Sequence, residues 1–282
     1  MLKYSTEVNL LSYVGQLVVI KGAGDLATGC AWRLFRSGFR VLMTELPQPL
    51  VVRRTASFAE AVYTGSTRVE RIEAVLAEDR EKAQQLLENG KVPLLIDPQA
   101  VVVNQLKPLV LIDGVMAKKN IGTSINDAPL VIGLGPGLTA GVDVHAVVET
   151  KRGHYLGRVL YEGQAIPDTG VPGVVMGYGT ERLLRAPADG VVEPLRNIGD
   201  LVQKGEKLLT VGGTSLLAEI AGVVRGMIRA GTRVSRGMKI GDIDPRGKKE
   251  YCYTISDKAL AVGGGALEAI CTYLSNKGNK DK

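Results

Sequence analysis

The sequence predicts an α/β protein: a Rossmann-like, mostly parallel sheet over residues 1–182, an all-β module over 183–245, and a strand and helix over 246–282 that pack back on the first part. Three observations lead there. Short apolar runs alternate with helical patterns through the first half. A glycine-rich turn follows the first of those runs. Residues 186–211 recur, without a gap, as residues 218–243. Strands alternating with helices imply a parallel sheet with helices packed on it.

The first strand is Leu-Val-Val-Ile-Lys at 17–21, an apolar, β-branched run bounded by Gly22. Asp25 to Ser37 reads as a helix. Leu26, Trp32, Leu34 and Phe35 give its apolar face, and Gly38 stands at the C-terminal stop position. Residues 39–44 form a second buried strand, and 93–96, 109–112 and 130–134 three more. A helix over 79–89 has Asp79 near its N-cap and Gly90 beyond its end.

The second half is built on a duplication with a constant spacing of 32 residues. Ala186/Ala218, Gly190/Gly222, Val191/Val223, Val192/Val224, Gly199/Gly231, Val202/Val234, Gly205/Gly237 and Lys207/Lys239 are identical. An internal repeat is read before anything else. Each copy reads strand, Gly turn, strand, Gly turn, strand. This resembles the barrel-sandwich of biotinyl/lipoyl carriers, in which a hairpin Lys receives the cofactor. Here the hairpin is Gly212-Gly213-Thr214-Ser215-Leu216. Amide attachment needs a primary amine, so no covalent biotin or lipoate is expected, and the module becomes a spacer, lid or docking surface. Beyond it, residues 251–255 read as a strand. Lys258 to Leu274 reads as a helix interrupted by Gly263-Gly264-Gly265.

Bulk properties exclude several classes. The net charge is +6, but the basic residues are spread along the chain and aromatics make up 5%, so no nucleic-acid surface is expected. Cys30, Cys252 and Cys271 form no CxxC pair, no Cys/His cluster has zinc spacing, and no metal site is expected. The sparse cysteines suit a reducing cytoplasm. The apolar N-terminal stretch carries no cleavage-site pattern, and no apolar run is long enough to cross a bilayer, so neither a leader nor a membrane partner is expected.

The chemistry concentrates in two loops. Gly22-Ala23-Gly24-Asp25-Leu26-Ala27 matches G-x-G-x-x-A between a strand and a helix. Gly22 allows the turn, Gly24 lets a pyrophosphate approach the backbone, and Ala27 suits close helix–strand packing. The helix start attracts the anion, and Thr28 adds a hydroxyl. Asp25 either opposes the anion or caps the helix. Glu45 lies 21 residues after Gly24, where such folds place an acid on the ribose 2′-OH. The alternative is a structural turn that binds nothing. The second loop, Gly133 to Asp143, contains Gly135, Gly137, Thr139 and Gly141; it is either an anion nest or an ordinary loop. Glu149, Arg152 and His154 then offer a carboxylate, a guanidinium and an imidazole within six residues, unless they form a solvated turn. His145, in an apolar context, reads as a satisfied core or strand residue rather than a ligand. Asp97 and Asp113 end strands; either they face a ligand or they cap the chain, and Lys118, Lys119 and Asn120 follow Asp113 toward the same crevice. Cys252, near Lys248 and Lys249, is either a thiolate nucleophile or a buried strand residue.

Several long stretches, VVIKGAGDLATG, AKKNIGT, VIGLGPGLTAGVDVHAVVETKRGHYLGRVLYEG and ISDKALAVGGGALEAI among them, resemble the YqeB-type accessory proteins of selenium-dependent molybdenum hydroxylase systems. The resemblance covers almost the whole chain. It implies a maturation factor with a selenium-dependent molybdenum hydroxylase as partner. On the residues, the ligand is a nucleotide-like small molecule such as an NAD-like dinucleotide; with the resemblance, it becomes a molybdopterin dinucleotide. Two other readings stand beside this one: an NAD-dependent oxidoreductase, and a non-catalytic scaffold or chaperone.

Overall fold

The computed structural model describes residues 13–280; most of the apolar N-terminal stretch, in which no leader is expected, lies outside them. The chain opens with β1 (Leu17–Lys21), α1 (Asp25–Arg36) and β2 (Arg40–Glu45). Two 3₁₀ turns lead to α2 (Ala61–Thr64) and the hairpin β3 (Ser66–Val69) and β4 (Ile72–Ala77). Then come α3 (Arg80–Glu88), β5 (Val92–Ile96), α4 (Val102–Leu106), β6 (Val110–Asp113) and β7 (Leu130–Leu134). Asp79 caps α3 by accepting from Lys82 N at 2.7 Å. Short strands follow: β8 (Thr139–Ala140), β9 (Ala146–Val148), β10 (Val159–Leu160) and β11 (Gly163–Gln164), the last pairing with β8.

The main sheet corrects the expected fold class. It is a mixed, nine-stranded sheet in the order β10-β9-β7-β6-β1-β2-β5-β4-β3, antiparallel at both edges. The connections from β6 to β7 and from β7 to β9 contain no helix. A Rossmann-type sheet is covered by its own crossover helices; here the final helix of the chain supplies part of that cover. That helix is α5 (Asp257–Lys280). Its Ala259, Val262, Ala266 and Ile270 are buried with Cys30 and Leu34 of α1 against Val18 and Ile20 of β1. On the opposite face, Leu17, Val19, Leu42 and Leu111 pack with Leu87 of α3 and Val103 of α4.

The second half supplies β12 (Leu183–Arg185), β13 (Gly190–Pro194), β14 (Leu201–Val202), β15 (Lys207–Val211), β16 (Thr214–Leu217), β17 (Gly222–Met227), β18 (Arg233–Val234) and β19 (Lys239–Asp244). Here too the expectation is corrected. The strands form two separate antiparallel sheets, β12-β19-β17-β14 and β16-β15-β13-β18, rather than a biotinyl/lipoyl barrel-sandwich; no ladder joins the two sheets among the described residues. The duplication is visible in the pairing. β14 of the first copy pairs with β17 of the second, and β18 of the second with β13 of the first. Each copy therefore completes the other's sheet, and their apolar faces share one core that includes Leu208, Val211, Val224 and Ile240.

Two local expectations also fail. Residues 251–255 are not a strand: Lys249–Cys252 is a 3₁₀ turn. Its carbonyls are taken by side chains, with Arg53 Nη2 donating to Tyr251 O and Thr254 O at 2.9 Å and the Thr55 hydroxyl to Cys252 O at 2.6 Å. The three glycines at 263–265 do not interrupt α5. Gly263 and Gly265 lie where other backbone comes close, while a Cβ on Gly264 would meet nothing within 4 Å. A Cβ on Gly263 would stand 2.8 Å from Gly29 O, and one on Gly265 only 2.3 Å from Gly157 O.

Candidate functional site

The glycine turn lies at the carboxyl ends of β1, β2 and β6, where open α/β sheets present ligands. Gly22 takes φ +89°, and its N–H donates to Thr44 O at 2.8 Å, extending the ladder by one step. A Cβ there would stand 3.1 Å from the Gly114 backbone, so the residue is fixed both by conformation and by close approach. The Ala23 carbonyl accepts from the Ser57 and Thr28 hydroxyls at 2.7 and 3.1 Å and from Ala59 N at 2.9 Å. The turn is therefore rigid before any ligand arrives.

Gly24 is different. It forms the N-cap of α1 at φ −63°, no side chain caps the helix, and a Cβ on it would meet nothing within 4 Å. The first-turn N–H groups have no intrahelical partners. They border a cleft of about 530 Å³ lined by the turn, Glu45, Leu46, the 49–52 segment and Gly114–Met116. Its walls are mainly apolar side chains. Asp25 does not cap the helix; its carboxylate lies 3.6 Å from Arg53 Nη1. Arg53 is buried, and burial beside Arg225 pulls its pKa below the usual guanidinium range. The arginine offsets the acid that stands next to the anion position. Glu45 is at the cleft, but its Oε1 accepts from Ala23 N at 3.1 Å, which places the acid on the turn itself.

The other expected residues have separate tasks. Ala27 is buried, with its Cβ facing Gly114. Thr28 is fully buried, and its hydroxyl also accepts from Phe58 N at 2.9 Å, so it is closed to a ligand. The second glycine loop is packed rather than open. Cβ atoms on Gly135 and Gly137 would stand 2.6 Å from Thr150 Oγ1 and 2.4 Å from Ala117 O. Thr139 N donates to Asp143 at 2.7 Å, and Gly141 N to Val144 O at 2.8 Å. The loop packs against residues 116–119, which continue from the Gly114–Met116 wall of the cleft.

Glu149, Arg152 and His154 do not act as a group. Glu149 is buried and accepts from Lys151 N and Ile166 N at 2.7 and 2.8 Å. Arg152 holds Asp257, at the start of α5, through two hydrogen bonds of 2.7 and 2.8 Å, and these keep the Asp257 carboxyl well below its ordinary range. His154 is exposed, edge-on to Tyr155. Cys252 is fully buried; its thiol contacts Val224 O at 3.6 Å, and burial pushes its pKa up. It is a core residue, closed to the solvent that a nucleophile needs. Asp97 caps α4 through Val102 N, and Asp113 accepts from Val115 N and the Thr123 hydroxyl. Asn120 orders its loop through Gly122, Thr123 and Asp143. His145 stands in a bend just before β9 and is half-buried; its Nδ1 accepts from Val131 N at 3.0 Å.

Three residues at the site were missed in sequence: Lys21, Thr44 and Arg53. The signal for Lys21 was a charge ending an otherwise apolar strand. For Arg53 it was a basic pair inside an apolar stretch. Thr44 gave none.

Among solved structures the chain is similar to a succinylglutamate desuccinylase from Silicibacter sp. TM1040, at 12% identity and TM-score 0.24, covering 82% of this chain and 85% of that one. It is similar to an aspartoacylase family protein from Mesorhizobium loti at 10% identity and TM-score 0.27, covering 82% and 84%. It is also similar to TcdA (CsdL), at 11% identity and TM-score 0.34, covering 98% and 93%. At such TM-scores neither a shared fold nor a shared activity follows. No family model matches. No helix among the described residues is long and apolar enough to cross a membrane. In sequence the chain is 48% identical over 255 residues to the uncharacterized protein YqeB of Escherichia coli (strain K12), covering 90% of this chain and 47% of that protein. The chain thus spans about half the length of this curated relative, and over the matched residues it is a YqeB-type protein.

Proposed function

We propose that the chain binds a nucleotide-type ligand over Gly24 and acts as an accessory factor in the maturation of a selenium-dependent molybdenum hydroxylase. One observation carries the binding part: α1 begins uncapped and unobstructed at the floor of a cleft of about 530 Å³. Free amides and the helix dipole favour a diphosphate there. The apolar walls suit a flat ring system, and Arg53 offsets Asp25. A molybdopterin dinucleotide meets these demands, as does an NAD-like dinucleotide. The accessory role follows from the YqeB resemblance rather than from the cleft.

The test is Gly24→Asp in the full chain. The backbone at Gly24 suits any residue and the added side chain enters open space, so folding is retained while the carboxylate occupies the anion position. Small molecules released from protein purified from its native host are identified by mass spectrometry, and ADP binding is measured by calorimetry. Wild type is expected to carry a dinucleotide and to bind ADP; the variant loses both, and with them hydroxylase activation. Equal ADP affinity in the two proteins refutes the assignment of the turn.

A further inference from the structure

Lys21 is 3% exposed, yet its ammonium has neither a hydrogen bond nor an ion pair among the described residues. Register explains where it points. Odd positions of β1, Leu17 and Val19, face the α3/α4 side of the sheet, as do Leu42 of β2 and Leu111 of β6. Lys21 pairs in register with Thr44 and with Asp113, so all three lie on that same face in one row. Thr44 is fully buried, and its hydroxyl also lacks a hydrogen-bond partner. Asp113 is buried too, but it is occupied by Val115 N and the Thr123 hydroxyl.

Lys21, which also lines the glycine-turn cleft, borders a second chamber of about 250 Å³. Gln99, Asn104, Thr123 and Asp127 line it as well, so its rim is polar. A buried ammonium without a counter-charge is unfavourable by several kcal/mol. A chamber with one cation, neutral donors and one acid suits a singly charged guest better than a doubly charged one.

We propose that this chamber is a binding site for a small carboxylate, with Lys21 as its counter-ion and the Asn104 and Gln99 side chains on its lining as neutral donors. The volume admits a carboxylate on a short carbon chain. The inference does not require the nucleotide reading: Lys21 lines both cavities, but Gln99, Asn104, Thr123 and Asp127 border this chamber alone, and Gly24 borders only the cleft.

The probe is sodium acetate, titrated into the full chain by calorimetry at constant ionic strength, with inorganic phosphate as comparator. Wild type is expected to bind acetate saturably and more tightly than phosphate. Lys21→Met and Lys21→Gln lose about tenfold or more in affinity, the size expected for a charge-assisted hydrogen bond. Gly24→Asp leaves acetate binding unchanged. If the Lys21 variants fail to fold, wild type alone decides: acetate should protect Lys21 from trinitrobenzenesulfonate, read by peptide mass spectrometry. Absence of saturable acetate binding, preference for phosphate, variants binding within about twofold of wild type, or no protection of Lys21 would each overturn the proposal.

Discussion

The contact between α1 and α5 makes opposite predictions for two glycines that look alike in sequence. A Cβ on Gly29 would stand 2.7 Å from both the Cβ and the carbonyl oxygen of Ala259. Ordinary carbon contacts are about 3.5–4.0 Å, so Gly29→Ala must push the helices apart by roughly 1 Å at that point. Overpacking of this kind costs about 1–3 kcal/mol. The better helix propensity of alanine returns up to about 1 kcal/mol. With the full offset the net expectation is a loss of roughly 0–2 kcal/mol, toward the upper end because the 2.7 Å contact is with backbone and a rigid Cβ. Gly264 sits in the same helix as Gly263 and Gly265, but a Cβ there would meet nothing within 4 Å. Gly264→Ala should therefore gain up to about 1 kcal/mol. Urea unfolding followed by circular dichroism measures both. A Gly29→Ala protein as stable as wild type, or a Gly264→Ala protein weakened to the same degree, would refute the claim that glycine spacing sets this helix crossing.

Other perturbations separate structural roles from ligand roles. Gly22→Ala should destabilise by about 1–3 kcal/mol, through positive φ and the 3.1 Å approach of Gly114, whether or not ligand is present; a neutral result on thermal melting would contradict this. Thr28→Val strands the buried Phe58 amide and should lose about 1–3 kcal/mol in denaturant titration; unchanged stability would mean that the hydroxyl is not the anchor of the turn. Titration of the native protein with a thiol reagent should modify Cys271 and spare Cys252 and Cys30, both buried, the Cys30 thiol being pushed up to about 12 by that burial; rapid modification of all three would contradict the buried placement. Burial holds the His145 pKa below its ordinary value, and its Nδ1 already accepts from Val131 N. As pH falls through about 6.5, the unfolded chain takes up this proton before the folded one. The stability is thus fully present above that pH and is lost as pH falls through the folded-state value. His145→Asn should flatten the slope between pH 7.5 and the acid limb; an unchanged slope would remove His145 as its source.

Sequence alone determined the local elements whose cause is local. The runs at 17–21 and 130–134, the helix starting at Asp25 and the Asp79 cap follow from apolar period, glycine and capping chemistry, all of which act within a few residues. The duplication was legible for the same reason, since it is written in residue identities. The tertiary structure decided what depends on distant partners. The sequence returned the last helix to the first part, and α5 does pack there, but it did not say that α5 covers the sheet where a crossover helix was expected. Nothing near Cys252 says that Arg53 and Thr55 take the carbonyls a strand would have used. Thr28, Gly135, Gly137 and Glu149 have residue types suited to a ligand, but their hydrogen bonds or close contacts come from up to 30 residues away and leave them closed. Lys21 went the other way: a sequence neighbour of the glycine turn, it became conspicuous only when the register of β1 showed which face it occupies and that no acid there bonds it. A side chain's chemistry is local, but whether it is free to act depends on what the rest of the fold brings against it.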